Sequence, residues 1–248
     1  MAFLDFEKFT TAPLQHDPCP FLVVPGFVKP EALDKINSDY PTIEKPGNFP
    51  LDGLDFEPAF QQFVDEMQGL EMRRFFSEVF GMDLAPYPTQ MTIRRYASVD
   101  DGHIHNDSVM KKITVLVYLN RTWDQTGGRL RILRSENSLD DYAVEVNPCG
   151  GTMLAFRRNE RSYHGFHPCG GERRTVQMYW VEPKRAARVE KKKRGPVAKF
   201  MKRLLLSVDS TARAAVIDEV ARRCYCAQLF FDGGGGFEPS VRFPLQQF

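Results

Sequence analysis

Gln90-Met91-Thr92-Ile93-Arg94-Arg95-Tyr96-Ala97 and, beyond a turn at Asp100-Asp101-Gly102, Lys112-Ile113-Thr114-Val115-Leu116-Val117-Tyr118-Leu119 open a series of short β-type runs. Arg129 to Arg134, Tyr142 to Val146, Thr152 to Phe156 and Arg173 to Val181 continue it, bounded by Gly127-Gly128, Asn147-Pro148 and Gly170-Gly171. Runs of this length, rich in β-branched and aromatic residues and separated by turn formers, predict strands. They follow one another without helices between them, so the sheet they build is an antiparallel sandwich or open barrel.

Upstream, the pattern is mostly helical. Phe21-Leu22-Val23-Val24 reads as a strand closed by Pro25-Gly26, and Pro30 with Ala32, Leu33 and Ile36 predicts a short helix that stops before Pro41. From Pro58 to about Val79, Phe60, Phe63, Val64, Met67, Leu70, Met72, Phe75, Phe76 and Val79 recur near helical spacing, interrupted at Gly69. These helices are expected to buttress the sheet from outside. Downstream of Val181 the composition shifts: Pro183 to Arg203 holds ten lysines and arginines against the single acid Glu190. Val197, Phe200, Met201, Leu204, Leu205 and Val208 then fall on one helical face, and Thr211 to about Phe230 carries a second apolar stripe before the glycines 233–236. The reading is a catalytic domain at 1–183 and a basic, helical extension with a flexible tail at 184–248. Its apolar stripes must be buried by docking or by self-association.

With 248 residues, 42% of them hydrophobic, the chain can bury one sizeable core. A net charge of +1 gives no global electrostatic case for a nucleic-acid partner. The basic stretch after Pro183 reads as a solvated linker and polar helix face, with an acidic membrane or nucleic acid as the alternative. Cys19, Cys149, Cys169, Cys224 and Cys226 form no disulfide framework, which favours a reducing compartment. Acids at Asp5 and Glu7 argue against a signal peptide, and no apolar run approaches the roughly 18 to 20 residues that span a bilayer. A soluble cytoplasmic protein is expected.

Chemistry concentrates in His105-Asn106-Asp107, in His164 57 residues after Asp107, and in Arg173 nine residues after His164. His105 and Asp107 are two apart, so an extended chain projects both to one side. Two imidazoles and a carboxylate on one face of a metal leave the other face open, the facial triad of non-haem Fe(II) oxygenases. The planar fork of an arginine on a neighbouring strand can grip a carboxylate by two parallel charge-assisted hydrogen bonds. His103 competes with His105 as a ligand, and His167 with His164. His105 alone makes the His-x-Asp spacing. Any one of these histidines taken singly is more often a surface or hydrogen-bonded side chain.

Arg94-Arg95-Tyr96, Asp101 to Asp107, Val115 to Asn120, Gly127-Gly128-Arg129-Leu130, Ser162-Tyr163-His164-Gly165 and Arg173 to Gln177 together resemble the 2-oxoglutarate- and Fe(II)-dependent oxygenases, in particular their prolyl 4-hydroxylase-like branch. The resemblance runs from about Phe21 to about Val181. It implies a mainly β fold with flanking α-helices, a double-stranded β-helix (jelly-roll) core, to which the helical extension is added. It implies His105, Asp107 and His164 as iron ligands, and Arg173 with Thr175 as the pair holding the distal carboxylate of 2-oxoglutarate. Arg174 is the alternative to Arg173, and Tyr96 is a further candidate for that carboxylate or else a core residue. Fe(II), 2-oxoglutarate and O₂ are the cofactors it brings, with ascorbate as an optional one. The implied reaction is hydroxylation of a small-molecule or peptidyl substrate, coupled to oxidative decarboxylation of 2-oxoglutarate. Related halogenases lack the carboxylate that Asp107 supplies, so Asp107 argues for hydroxylation. Gly127-Gly128-Arg129-Leu130 departs from the family's commoner glutamate at its third position, which touches the surface or the substrate rim. A non-enzymatic jelly-roll that senses a metal or a dicarboxylate is the alternative of a different class.

Overall fold

The structure is a computed structural model and describes residues 1–186. In chain order its elements are α1 (Phe6–Thr11), β1 (Phe21–Val24), α2 (Pro30–Ser38), β2 (Phe49–Pro50), α3 (Pro58–Gln68), α4 (Leu70–Phe80), β3 (Thr89–Ala97), β4 (Lys111–Tyr118), β5 (Leu130–Leu133), β6 (Tyr142–Val146), β7 (Met153–Arg157), β8 (His164–Gly165) and β9 (Gly171–Val181). The helical extension expected over 184–248 falls almost wholly outside the described residues. Within the described residues, no helix is long and apolar enough to cross a membrane.

Two antiparallel sheets make the jelly-roll. The larger has the order β1-β7-β4-β9-β3-β2 and the smaller the order β6-β5-β8. A bridge between His105 and His164, with both backbone hydrogen bonds formed at 3.0 and 2.9 Å, adds the chain before Asp107 to the edge of the smaller sheet.

Strand alternation divides the large sheet into two faces. Ile113, Val115 and Val117 of β4, with Val176, Met178 and Trp180 of β9, share a core with Phe60, Phe63, Met72 and Phe76 of the helices. Phe76 and Trp180 stand 4.8 Å apart between ring centroids. The alternate residues Leu116, Tyr118, Leu154 and Phe156 face Leu130, Ile132 and Val146 of the small sheet. β4 is therefore covered on both sides, and its run from Ile113 to Tyr118 is buried throughout.

The helices end where the sequence says they should. Pro30 and Pro58 occupy the first turns of α2 and α3, where a missing N–H costs nothing. Gly69 separates α3 from α4 with an extended backbone, and Gly81 closes α4 in the left-handed region at φ 57°. Three elements were not expected: α1, β2 and β8. α1 has six residues capped by the Asp5 side chain, and β2 and β8 have two residues each, too short for any periodicity to register.

Candidate metal centre

His164 lies on β8 and His105 directly opposite on the bridged edge, so their rings meet at 4.2 Å between centroids. Asp107 is not on a regular strand. Two residues past the bridge, its segment is tied down by Asn106, which donates to the Asn159 carbonyl at 2.8 Å and accepts from the Ser162 hydroxyl at 2.7 Å. The outcome is the grouping the spacing predicted: one ligand atom from each of His105, Asp107 and His164, all within 4.8 Å of one another. Gly102, at φ 102°, makes the approach possible, because a Cβ there would stand 2.2 Å from the Phe166 carbonyl oxygen.

The donor set fits a metal in its protonation as well as its spacing. His105 Nδ1 lies 2.9 Å from the His103 carbonyl oxygen, and His164 Nδ1 lies 3.0 Å from that of Ser162. A carbonyl only accepts, so each Nδ1 carries the proton and each Nε2 keeps its lone pair for a cation. Asp107 is 7% exposed. Burial pushes its carboxyl up, but Lys111, His164 and the hydrogen bonds from Lys111 and Thr114 outweigh that and hold it at about 2. His164 is pulled down to about 4, by burial first and then by His105, so it is neutral at pH 7.

Both shifts predict acid sensitivity of the metal-free protein. The folded chain binds protons to His164 less readily than the ordinary value of 6.5 allows. Its contribution is therefore present above about pH 6.5 and lost as pH falls toward about 4, an effect of about 3 kcal/mol for a shift of this size. Asp107 adds a further loss between its ordinary 3.8 and about 2. Urea unfolding of metal-free protein at pH 7 and pH 4.5 measures the first. His164→Gln is expected to flatten that dependence, and an unchanged slope would refute the assignment.

Arg173 and Thr175 point from β9 into the space between the sheets, and Arg174 points away. The Arg173 guanidinium, 2% exposed, donates from Nε to the Gly128 carbonyl at 3.0 Å and from Nη1 to Thr175 Oγ1 at 3.2 Å. It lies over the rings of Phe166 at 4.6 Å and Tyr118 at 5.3 Å. Its Nη2 and the Tyr118 hydroxyl are buried without a hydrogen-bond partner of ordinary geometry, and among the described residues no carboxylate pairs with it. Burial pulls its pKa down and pushes that of Tyr118 up, and each group, lying beside the other, partly offsets the other's shift. Gly127-Gly128 is needed for this packing. A Cβ at Gly128 would lie 2.5 Å from the Trp123 ring and 2.7 Å from Cys169 Sγ, and one at Gly127 2.1 Å from the Pro168 carbonyl oxygen. Arg129, the third residue of that Gly-Gly turn, lies 3.7 Å from Glu145 across the small sheet.

The alternatives separate. Arg174 is taken up by Glu172 at 2.8 Å and Asn37 Oδ1 at 2.8 Å on the other face. His103 is exposed, and His167 lies 2.8 Å from Arg131 Nη1 and 3.1 Å from Asp140. Tyr96, the further candidate, stands apart from Arg173. A register shift between Arg94 and Tyr96 sets it opposite Glu172 instead of in step with Thr175, and the Arg95 guanidinium covers its ring. The tyrosine against Arg173 is Tyr118, opposite Thr175 on β4. Sequence reading also passed over Thr114, whose hydroxyl donates to Asp107 Oδ2 at 2.5 Å. Its signal was the one aliphatic hydroxyl within the run Ile113 to Leu119.

Residues 91–182 match the sequence model of the 2OG-Fe(II) oxygenase superfamily, and the chain carries a domain of that superfamily. Members of that superfamily use Fe(II), 2-oxoglutarate and O₂. Among solved structures the chain is similar to a Pseudomonas putida prolyl-4-hydroxylase, with 16% identity over 71% of this chain and 96% of that one and a TM-score of 0.48. It is also similar to the collagen prolyl hydroxylase of Paramecium bursaria Chlorella virus-1, at 14% identity, 65% and 95% coverage and a TM-score of 0.47. No curated protein matches the chain.

Proposed function

We propose that this chain couples oxidative decarboxylation of 2-oxoglutarate to hydroxylation of a carbon in a small molecule or peptidyl residue. The observation that carries the reading is the pairing of a His-Asp-His cluster with a buried arginine that has no carboxylate partner among the described residues. When bound, Fe(II) supplies the redox chemistry by which O₂ converts 2-oxoglutarate to succinate and CO₂ and delivers its second oxygen atom to the substrate. His105 and His164 present Nε2 lone pairs, Asp107 one carboxylate oxygen, and the three leave the opposite coordination positions open. Arg173 would meet the distal carboxylate of the co-substrate, with the Thr175 and Tyr118 hydroxyls as added donors. Such a contact would satisfy the Arg173 Nη2 and Tyr118 donors, whose burial otherwise costs free energy. Leu116, Leu154 and Phe156 on the same inner face help keep bulk water out, which strengthens the ionic contact.

Anaerobic reconstitution with Fe(II) and 2-oxoglutarate, followed by O₂ and assay of succinate, tests the reading. Slow succinate formation without added substrate supports an oxygenase. Tight binding of both ligands with no succinate, even across a screen of metabolites and peptides, favours the sensor instead.

We further propose that the iron chemistry resides in the domain before the extension, since His105, Asp107, His164, Arg173 and Thr175 all precede Val181. The chain just after that strand still packs on the domain: the Glu182 amide donates to the Met110 carbonyl at 2.8 Å and Arg185 Nε to Gln90 at 3.4 Å. Deleting residues 187–248 is expected to leave a soluble protein that forms succinate at a rate within a few-fold of the full chain. A deletion that binds iron but has lost all turnover would show that the extension completes the site.

A further inference from the structure

Lys111 has no role in the reading above, yet it touches the centre. Its ammonium donates to Asp107 Oδ1 at 2.5 Å, while the Thr114 hydroxyl donates to Oδ2 at 2.5 Å. On its other side the ammonium lies 3.8 Å from the centroid of the Tyr179 ring. Tyr179 stands directly opposite Thr114 on β9 and is fixed by its own hydroxyl, which donates to Gln177. Ring, ammonium, carboxylate and hydroxyl form one row along the inner face, buried except at the partly exposed Lys111.

This placement requires a break in the strand. In regular alternation Lys111 would share the helix-packed face of Ile113. A register shift between Lys111 and Ile113 instead turns it inward, as bulges do when they re-aim a side chain. The neighbouring Lys112 goes elsewhere, to Glu182 at 2.5 Å and over the Tyr87 ring.

We propose that Lys111 is a positioning residue of the metal centre, holding the Asp107 carboxylate in one orientation toward the metal, with Tyr179 holding the ammonium in turn. A carboxylate has about four lone-pair positions. One donor on each oxygen fixes the plane of the group and leaves a lone-pair position on each oxygen for the metal. The inference rests on the triad being the metal site.

The sign of one measurement tests it. Coulomb repulsion alone says that removing a cation beside a dication should tighten metal binding. Loss of a group that orients a ligand says the reverse, typically by about 10- to 100-fold. Titration with Co(II), followed by its visible absorption, gives the affinity without any turnover. Lys111→Met is expected to weaken Co(II) by about 10- to 100-fold and to change the band shape as Asp107 reorients. Lys111→Arg should restore most of the affinity, and Lys112→Met should leave it unchanged. If Lys111→Met does not fold, Tyr179→Leu gives the reading with the lysine in place, and a several-fold loss is expected. Affinity equal to or tighter than wild type in Lys111→Met, or in Tyr179→Leu, would overturn the proposal and leave the metal site standing. Wild-type protein that binds no Co(II) would remove both.

Discussion

Alanine at His105 is expected to abolish conversion of 2-oxoglutarate to succinate in a protein that still folds, because this ligand is solvent-exposed and contributes little to the core. His164→Ala and Asp107→Ala should be equally inactive, but their structural consequences differ. His164 is buried against Phe156, at 4.7 Å between ring centroids, so its removal leaves a cavity. Removing Asp107 leaves the Lys111 ammonium, only 14% exposed, without its anion, and breaking a buried pair in this way costs about 3–5 kcal/mol. The expected order of stability is thus His105→Ala above His164→Ala above Asp107→Ala, measured by denaturant unfolding beside the succinate assay. Normal turnover by His105→Ala with loss in His103→Ala would transfer the ligand role to His103.

Arg173→Ala is expected to weaken 2-oxoglutarate far more than the metal. Truncating one partner of a buried charge pair costs about 2 to 5 kcal/mol, which is roughly 30- to several-thousand-fold in affinity. Calorimetric titration of 2-oxoglutarate into Co(II)-loaded protein measures it. Arg173→Lys should recover only part, since an ammonium lacks the fork that spans two oxygens. Arg174→Ala should have a small effect, its guanidinium being committed to Glu172 and Asn37 on the opposite face. Equal losses of metal and co-substrate in Arg173→Ala would show that the arginine holds the fold together and does not read the ligand.

Much of this protein was legible in the chain because the deciding signals are local. The β-branched and aromatic runs along Lys112 to Leu119 and Arg173 to Val181, glycines at turns, and prolines at helix starts depend on neighbouring residues only, and the strands and helices they mark are present among the described residues. The His-x-Asp spacing, the distal His164 and the nine-residue step to Arg173 could likewise be counted without coordinates. So could the fact that Arg173 and Thr175 share a face and Arg174 does not, since alternation on a strand has period two.

Tertiary structure decided whatever depends on register between strands far apart in sequence. One shift in the β3–β9 pairing takes Tyr96 out of step with Thr175, and pairing of β4 with β9 puts Tyr118 there instead. Another shift, at the start of β4, turns Lys111 toward Asp107. Neither bulge leaves a mark in composition or periodicity, because a one-residue slip reverses the facing of side chains without changing a letter of the sequence. Alternation thus determined which residues lie on a strand and which of them share a side. Only the pairing of whole sheets determined which side chains from different strands meet at the metal.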